Sequence, residues 1–78
     1  MAEKDKPEIQ QARLRQLLQQ IQPEYVIAFD DECHGDLKFR IDDDKGKPLG
    51  VRKMHPSVIA DKSDDQVKGI IWSVIRGQ

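Results

Sequence analysis

The sequence predicts a small α+β domain of order α-β-β-β-α: a three-stranded antiparallel meander with two helices packed on one face. Three observations carry this. Leucines and isoleucines recur at helical spacing near both ends of the chain. Apolar and polar residues alternate with period two in three short central runs. Two of the connections between those runs close on a glycine after polar turn residues. At 78 residues, one domain accounts for the chain.

The first helix begins at Asp5-Lys6-Pro7-Glu8. Asp5 suits a cap, proline is tolerated in a first turn, and Glu8 suits the positive end of the helix dipole. Residues 1 to 5 before it read as a disordered polar tail, leaving 6 to 78 as the domain. Leu14, Leu17, Leu18 and Ile21 form one apolar stripe, with glutamines on the other faces. Pro23 ends the helix.

Three strands follow. Tyr25, Ile27 and Phe29 share one face of the first, Leu37, Phe39 and Ile41 one face of the second, and Leu49 and Val51 one face of the third. Asp43-Asp44-Lys45-Gly46 has the chemistry of a type I turn closed by a left-handed glycine. It predicts Asp43 opposite Lys47, Ile41 opposite Leu49 and Phe39 opposite Val51. Glu32-Cys33-His34-Gly35 has the same form and pairs Ile27 with Ile41 and Phe29 with Phe39. Pro48 then falls on an edge strand.

His55 to Asp61 reads as an irregular connection that tucks Val58 and Ile59 inward. Ser63-Asp64-Asp65-Gln66 is a capping box, and Val67, Ile70, Ile71, Val74 and Ile75 form the stripe of the last helix, closed by Gly77.

Composition narrows the function classes. The formal net charge is −1, so no global electrostatic pull toward nucleic acid or anionic membrane is expected. Cys33 is the only cysteine, which excludes an intrachain disulfide. The N-terminal residues lack an apolar signal-peptide core and no apolar run is long enough to span a bilayer. A cytoplasmic protein with no cofactor is the expectation.

Asp31-Glu32-Cys33-His34, after an apolar strand, resembles the acidic box with which helicase-type ATPases hold magnesium. The resemblance stops there. The one Gly-Lys pair, Gly46-Lys47, is followed by proline and lies downstream, so no phosphate-cradling loop accompanies the box. An up-down-up meander places the Cys33-His34 turn and His55 at one end of the sheet, which makes Cys33, His34 and His55 a weak zinc alternative. Adjacent Cys33 and His34 lack the spacing of known zinc loops, and the acidic surroundings disfavour a reactive thiolate. No enzyme is expected.

Two interaction surfaces remain. Lys38 and Arg40 project from the open face of the sheet, with Arg52 opposite Lys38 and Lys53 nearby. This basic face is a candidate for weak nucleic-acid binding, although a ladder Asp30–Lys38–Arg52 is partly self-neutralised. The element order resembles that of double-stranded-RNA-binding domains. Those domains carry lysines at the start of the second helix, where this chain has Ser63-Asp64-Asp65. Trp72 and Ile9 fall off the apolar stripes of their helices, as interface anchors do. The leading expectation is a non-catalytic protein that works by protein–protein contact, with a homodimer among the options. Its contacts would be Trp72, Ile9 and the edge strand from Pro48 to Lys53.

Overall fold

The computed structural model describes residues 7–30 and 35–77. Its elements run α1 (Pro7–Ile21), β1 (Val26–Asp30), β2 (Leu37–Asp42), β3 (Pro48–Met54), α2 (Pro56–Ala60) and α3 (Asp64–Ile75). The three strands form one antiparallel sheet in the order β1-β2-β3, so the chain is the expected small α+β fold. A short helix, α2, occupies the connection that the sequence suggested was irregular. The expected tail, the Asp5 cap and the Cys33-His34 turn lie outside the described residues.

Each element follows from local chemistry. The α1 stripe of Leu14, Leu17 and Leu18 is buried, and Ile21 packs partly against it. Gln10, four residues before Leu14, lies on the same stripe at 2% exposure. It was expected among the polar faces, but helical geometry puts positions i and i+4 on one side. In α3 the Ser63 hydroxyl accepts from the Gln66 amide and the Gln66 side chain accepts from the Ser63 amide, which is the predicted capping box. α2 starts because His55 caps it and Pro56 occupies its first turn.

The first hairpin has the predicted register, with Ile27 opposite Ile41 and Phe29 opposite Phe39. Gly35 and Gly46 stand at φ 77° and 84°, the left-handed conformation that both turns call for. In the second turn the Asp43 amide donates to the Lys47 carbonyl, so the closing pair is also as predicted.

The second hairpin then departs from its predicted register. Asp42 pairs with Pro48 but Ile41 pairs with Gly50, which leaves Leu49 as an extra residue in β3. This is a β-bulge, and it inverts the alternation beyond it. Phe39 therefore faces Arg52 rather than Val51, and Lys38 faces Lys53 rather than Arg52. Val51, expected in the core, is 54% exposed on the other face. Val58, expected to tuck inward, is exposed on α2, while Ile59 and Pro56 are buried. α2 turns the side that carries Pro56 and Ile59 to the core, and Val58, about 100° round the helix from Ile59, falls on the solvent side.

The core lies between the sheet and the helices. Phe39, Ile41, Leu37, Leu14, Ile59, Val67 and Ile71 are essentially solvent-free within it. α1 lies over the β1 side and α3 over β2 and β3, with α2 against α1. Both long helices cover one face of the sheet, and no helix among the described residues is long and apolar enough to cross a membrane.

The turn between β2 and β3 carries a testable charge effect. Asp43 Oδ1 accepts from the Lys47 amide at 2.8 Å and from the Lys45 amide at 2.9 Å. The Lys47 amide is the main cause that holds this carboxyl below its ordinary value, helped by the Lys45 amide and the two lysine charges. A depressed folded-state pKa stabilises above the unfolded-state pKa, and that contribution is lost as pH falls through the folded value. A carboxyl-carbon NMR titration is expected to give Asp43 a midpoint below that of an unstructured aspartate. Asp43→Asn is expected to flatten the acid limb of the stability curve. A midpoint at or above the ordinary value would contradict the turn geometry.

Candidate functional site

Among the described residues, the sheet has one face under the helices and one face without a helix. Alternation and register arrange the open face as rows across the strands. One row is Val26 and Asp42, the next Ala28, Arg40 and Val51, and the next Asp30, Lys38 and Lys53. Val26, at 58% exposure, and Val51 are the large apolar residues of this face. A shallow depression beside Val51 is lined by Ala28, Asp30, Lys38 and Arg40.

The charges on this face are largely balanced within it. Arg40 makes a two-pronged contact with Asp42, at 2.9 Å from Nε and 3.1 Å from Nη2. Lys53 lies 3.7 Å from Asp36. Lys38 and Lys53 face each other across β2 and β3, a like-charge pair that Asp30 on the other side of Lys38 and Asp36 beside Lys53 offset. Arg52 is not part of the basic face. The bulge turns it to the helix side, where its Nη2 donates to Ser73 Oγ at 3.1 Å.

The other expected contact residues are dispersed. Ile9 is 42% exposed on α1. Trp72 on α3 is half-buried, with the Arg76 guanidinium 5.9 Å from the ring centre, so a neighbour on its own helix covers one side of it. His55 is occupied as a cap: its Nδ1 accepts from the Ser57 amide at 3.2 Å and lies 2.7 Å from Ser57 Oγ. Cys33 and His34, the other members of the zinc alternative, lie outside the described residues.

The two edges of the sheet are built very differently, which the sequence reading passed over. β3 begins with Pro48, bulges at Leu49 and carries Arg52 and Lys53. Proline, bulges and basic side chains are the devices that keep an edge from pairing with another chain. β1, Val26-Ile27-Ala28-Phe29-Asp30, has none of them. It pairs with β2 without a register shift, and its one charge is at the end. Its inward residues are incompletely covered: Ile27 and Phe29 are only half-buried, while their partners Ile41 and Phe39 are at 0% and 1% exposure. Arg15 of α1 stacks over Phe29, 5.0 Å from the ring centre, and is the cover on that flank. A groove lined by Arg15, Gln19, Pro23, Tyr25, Val26 and Ile27 runs beside the strand. The signal was present in the sequence as a contrast: five residues free of proline, lysine and glycine in the first strand, against Pro48, Gly50 and Lys53 in the third.

Comparisons with protein-family models, with curated proteins and with solved structures found no match.

Proposed function

We propose that this chain is a small non-catalytic interaction module of the cytoplasm that binds another polypeptide by strand addition at the free edge of β1. The observation that carries the reading is the contrast between the two edges. β3 is blunted by Pro48, a bulge and two basic residues, whereas β1 is mostly apolar and carries no proline, bulge or basic residue. An outer strand presents a row of main-chain N–H and C=O groups on its free side, and an extended segment of a partner satisfies them. Half-covered Ile27 and Phe29 add apolar surface on the helix side of the edge, and exposed Val26 adds it on the open side.

The open face supports a protein partner over nucleic acid. Binding to a phosphate backbone draws on several cations that are free to release counterions. Here Arg40 is engaged by Asp42, Lys53 lies beside Asp36, and Arg52 is on the helix side.

A photoreactive residue placed at Val26 or at Lys53 tests this in cells. Both side chains are exposed, so either variant is expected to fold. Adducts to a polypeptide are expected from Val26 and not from Lys53. Equal labelling from both positions, or no adduct from Val26, would overturn the reading.

A further inference from the structure

We infer that the strand added at the β1 edge is β1 of a second copy, antiparallel across a twofold axis through Ala28, which joins two sheets into one of six strands. This rests on the reading of β1 as the docking edge and names its partner. The argument is one of register. When two β1 strands pair antiparallel, side chains keep to matching faces only if the sum of paired residue numbers is even, because the side-chain period is two. Among the even sums, 56 alone pairs every residue of β1 with another residue of β1. Val26 then faces Asp30, Ile27 faces Phe29 and Ala28 faces itself. The smallest side chain of the strand stands at the axis, where two copies meet.

Packing and charge agree with that register. Ile27 and Phe29, half-covered in one copy, meet Phe29 and Ile27 of the other, so the apolar layer continues across the axis. The one charge of the strand, Asp30, is set at opposite ends of the pair, about 13 Å apart for a four-residue offset at strand rise. No like charges within β1 face each other. An isologous contact of this kind closes on itself and does not propagate into a fibre. Five paired residues and the flank of α1 make a contact at the small end of stable interfaces, below about 1,200 Å² in total, so the dimer is expected to be reversible and concentration-dependent.

Two variants test it in the full chain. In a Cys33→Ser background, Ala28→Cys is expected to form an intermolecular disulfide on mild oxidation, because residues directly opposite in an antiparallel pair stand about 4.5–5.5 Å apart. Val26→Cys in the same background is not, since its copies lie about 13 Å apart along the strands. Ala28→Glu keeps the monomer intact, because it faces Arg40 within its own sheet, but it sets two carboxylates against each other at the axis. Sedimentation equilibrium is expected to show dimerisation of the unmodified protein weakened at least tenfold by Ala28→Glu, with an unchanged circular dichroism spectrum. Equal crosslinking of the two cysteine variants, or a dimer indifferent to Ala28→Glu, would overturn the proposal. So would an unmodified protein that stays monomeric at millimolar concentration. In that last case, adducts from Val26 to a different polypeptide would leave the docking edge standing and remove only self-pairing. Absence of adducts as well would remove both.

Discussion

Gly50→Val is expected to lower the melting temperature by about 10 °C or more, although strand propensity alone predicts the opposite sign. Valine is a better strand former than glycine by up to about 1 kcal/mol. Gly50, however, lies opposite Ile41 on the helix side of the sheet, where α3 comes down onto the strand. A Cβ at this position would sit well inside van der Waals contact of the Val74 carbonyl oxygen and 3.2 Å from Val74 Cγ1. The obstacle is backbone in the middle of a packed interface, so no rotamer change relieves it and α3 must lift from the sheet. Overpacking of this kind costs about 1–3 kcal/mol and sometimes more. With the larger branched side chain the net loss is about 2 kcal/mol or more. In a domain of this size each kcal/mol moves the midpoint by about 4–8 °C. Gly50→Ala is expected to show the same sign and a smaller shift. Val51→Thr, one residue away on the open face, is expected to change stability by less than about 0.5 kcal/mol. A rise in melting temperature for Gly50→Val would place Gly50 on the open face and restore the unbulged register.

That residue also marks where the fold stopped being legible in the sequence. The first hairpin could be read because its apolar residues and its glycine agree on one register, and Gly35 and Gly46 adopt the conformations their turns demand. The second could be read only as far as its turn. Ile41 opposite Leu49 and Phe39 opposite Val51 looked better on apolar pairing than Ile41 opposite Gly50 and Phe39 opposite Arg52. The register that occurs is favoured by contacts that no strand pattern displays. α3 needs a residue without a side chain beneath Val74, and Leu49, as the extra residue of the bulge, still packs against the core. The displacement of Arg52 from the basic face follows from the same bulge. α2 was missed for a different reason. Its five residues are too few for periodicity to register, and its start depends on a histidine acting as a cap. Ile9, Arg40 and Lys53 are exposed, as patterning suggested, and Lys38 lies half-buried on the open face, because amphipathic patterning sorts faces but not depth on a face. What patterning does not sort is which edge of a sheet is protected, because that is a comparison between two strands.

Arg13→Met is expected to destabilise the protein by about 2 kcal/mol, most of it independent of salt. Arg13 ties the middle of α1 to the end of α2, the connection after it and the start of α3. Its Nη1 donates to the Ile59 carbonyl at 2.9 Å and its Nη2 to the Lys62 carbonyl at 2.7 Å. Nε and Nη2 also reach Asp64 Oδ1, at 3.1 and 2.9 Å. Two kinds of bond are present, and their environments decide which matters. The Asp64 side chain is 67% exposed, so the ion pair is screened and contributes well under about 1 kcal/mol. The bonds to the Ile59 and Lys62 carbonyls are partly buried, and a charged donor to a carbonyl is worth about 1.5–3 kcal/mol before allowance for the water that can replace it. Methionine keeps an apolar stem of similar length and removes every donor, so the comparison isolates the hydrogen bonds. Asp64→Asn is expected to cost less than about 1 kcal/mol, including its loss at the helix N-terminus. Arg13→Lys should recover less than half of the deficit, because an ammonium cannot span two carbonyls and a carboxylate in the way a planar fork does. Urea titrations of the three variants at low salt and in 1 M sodium chloride separate the terms. If Asp64→Asn costs as much as Arg13→Met, or if the Arg13→Met deficit vanishes in salt, the clamp is electrostatic and the carbonyl bonds are incidental. If the deficit persists, the bonds from Arg13 to the two carbonyls act beside the buried Pro56 and Ile59 in holding α2 against α1.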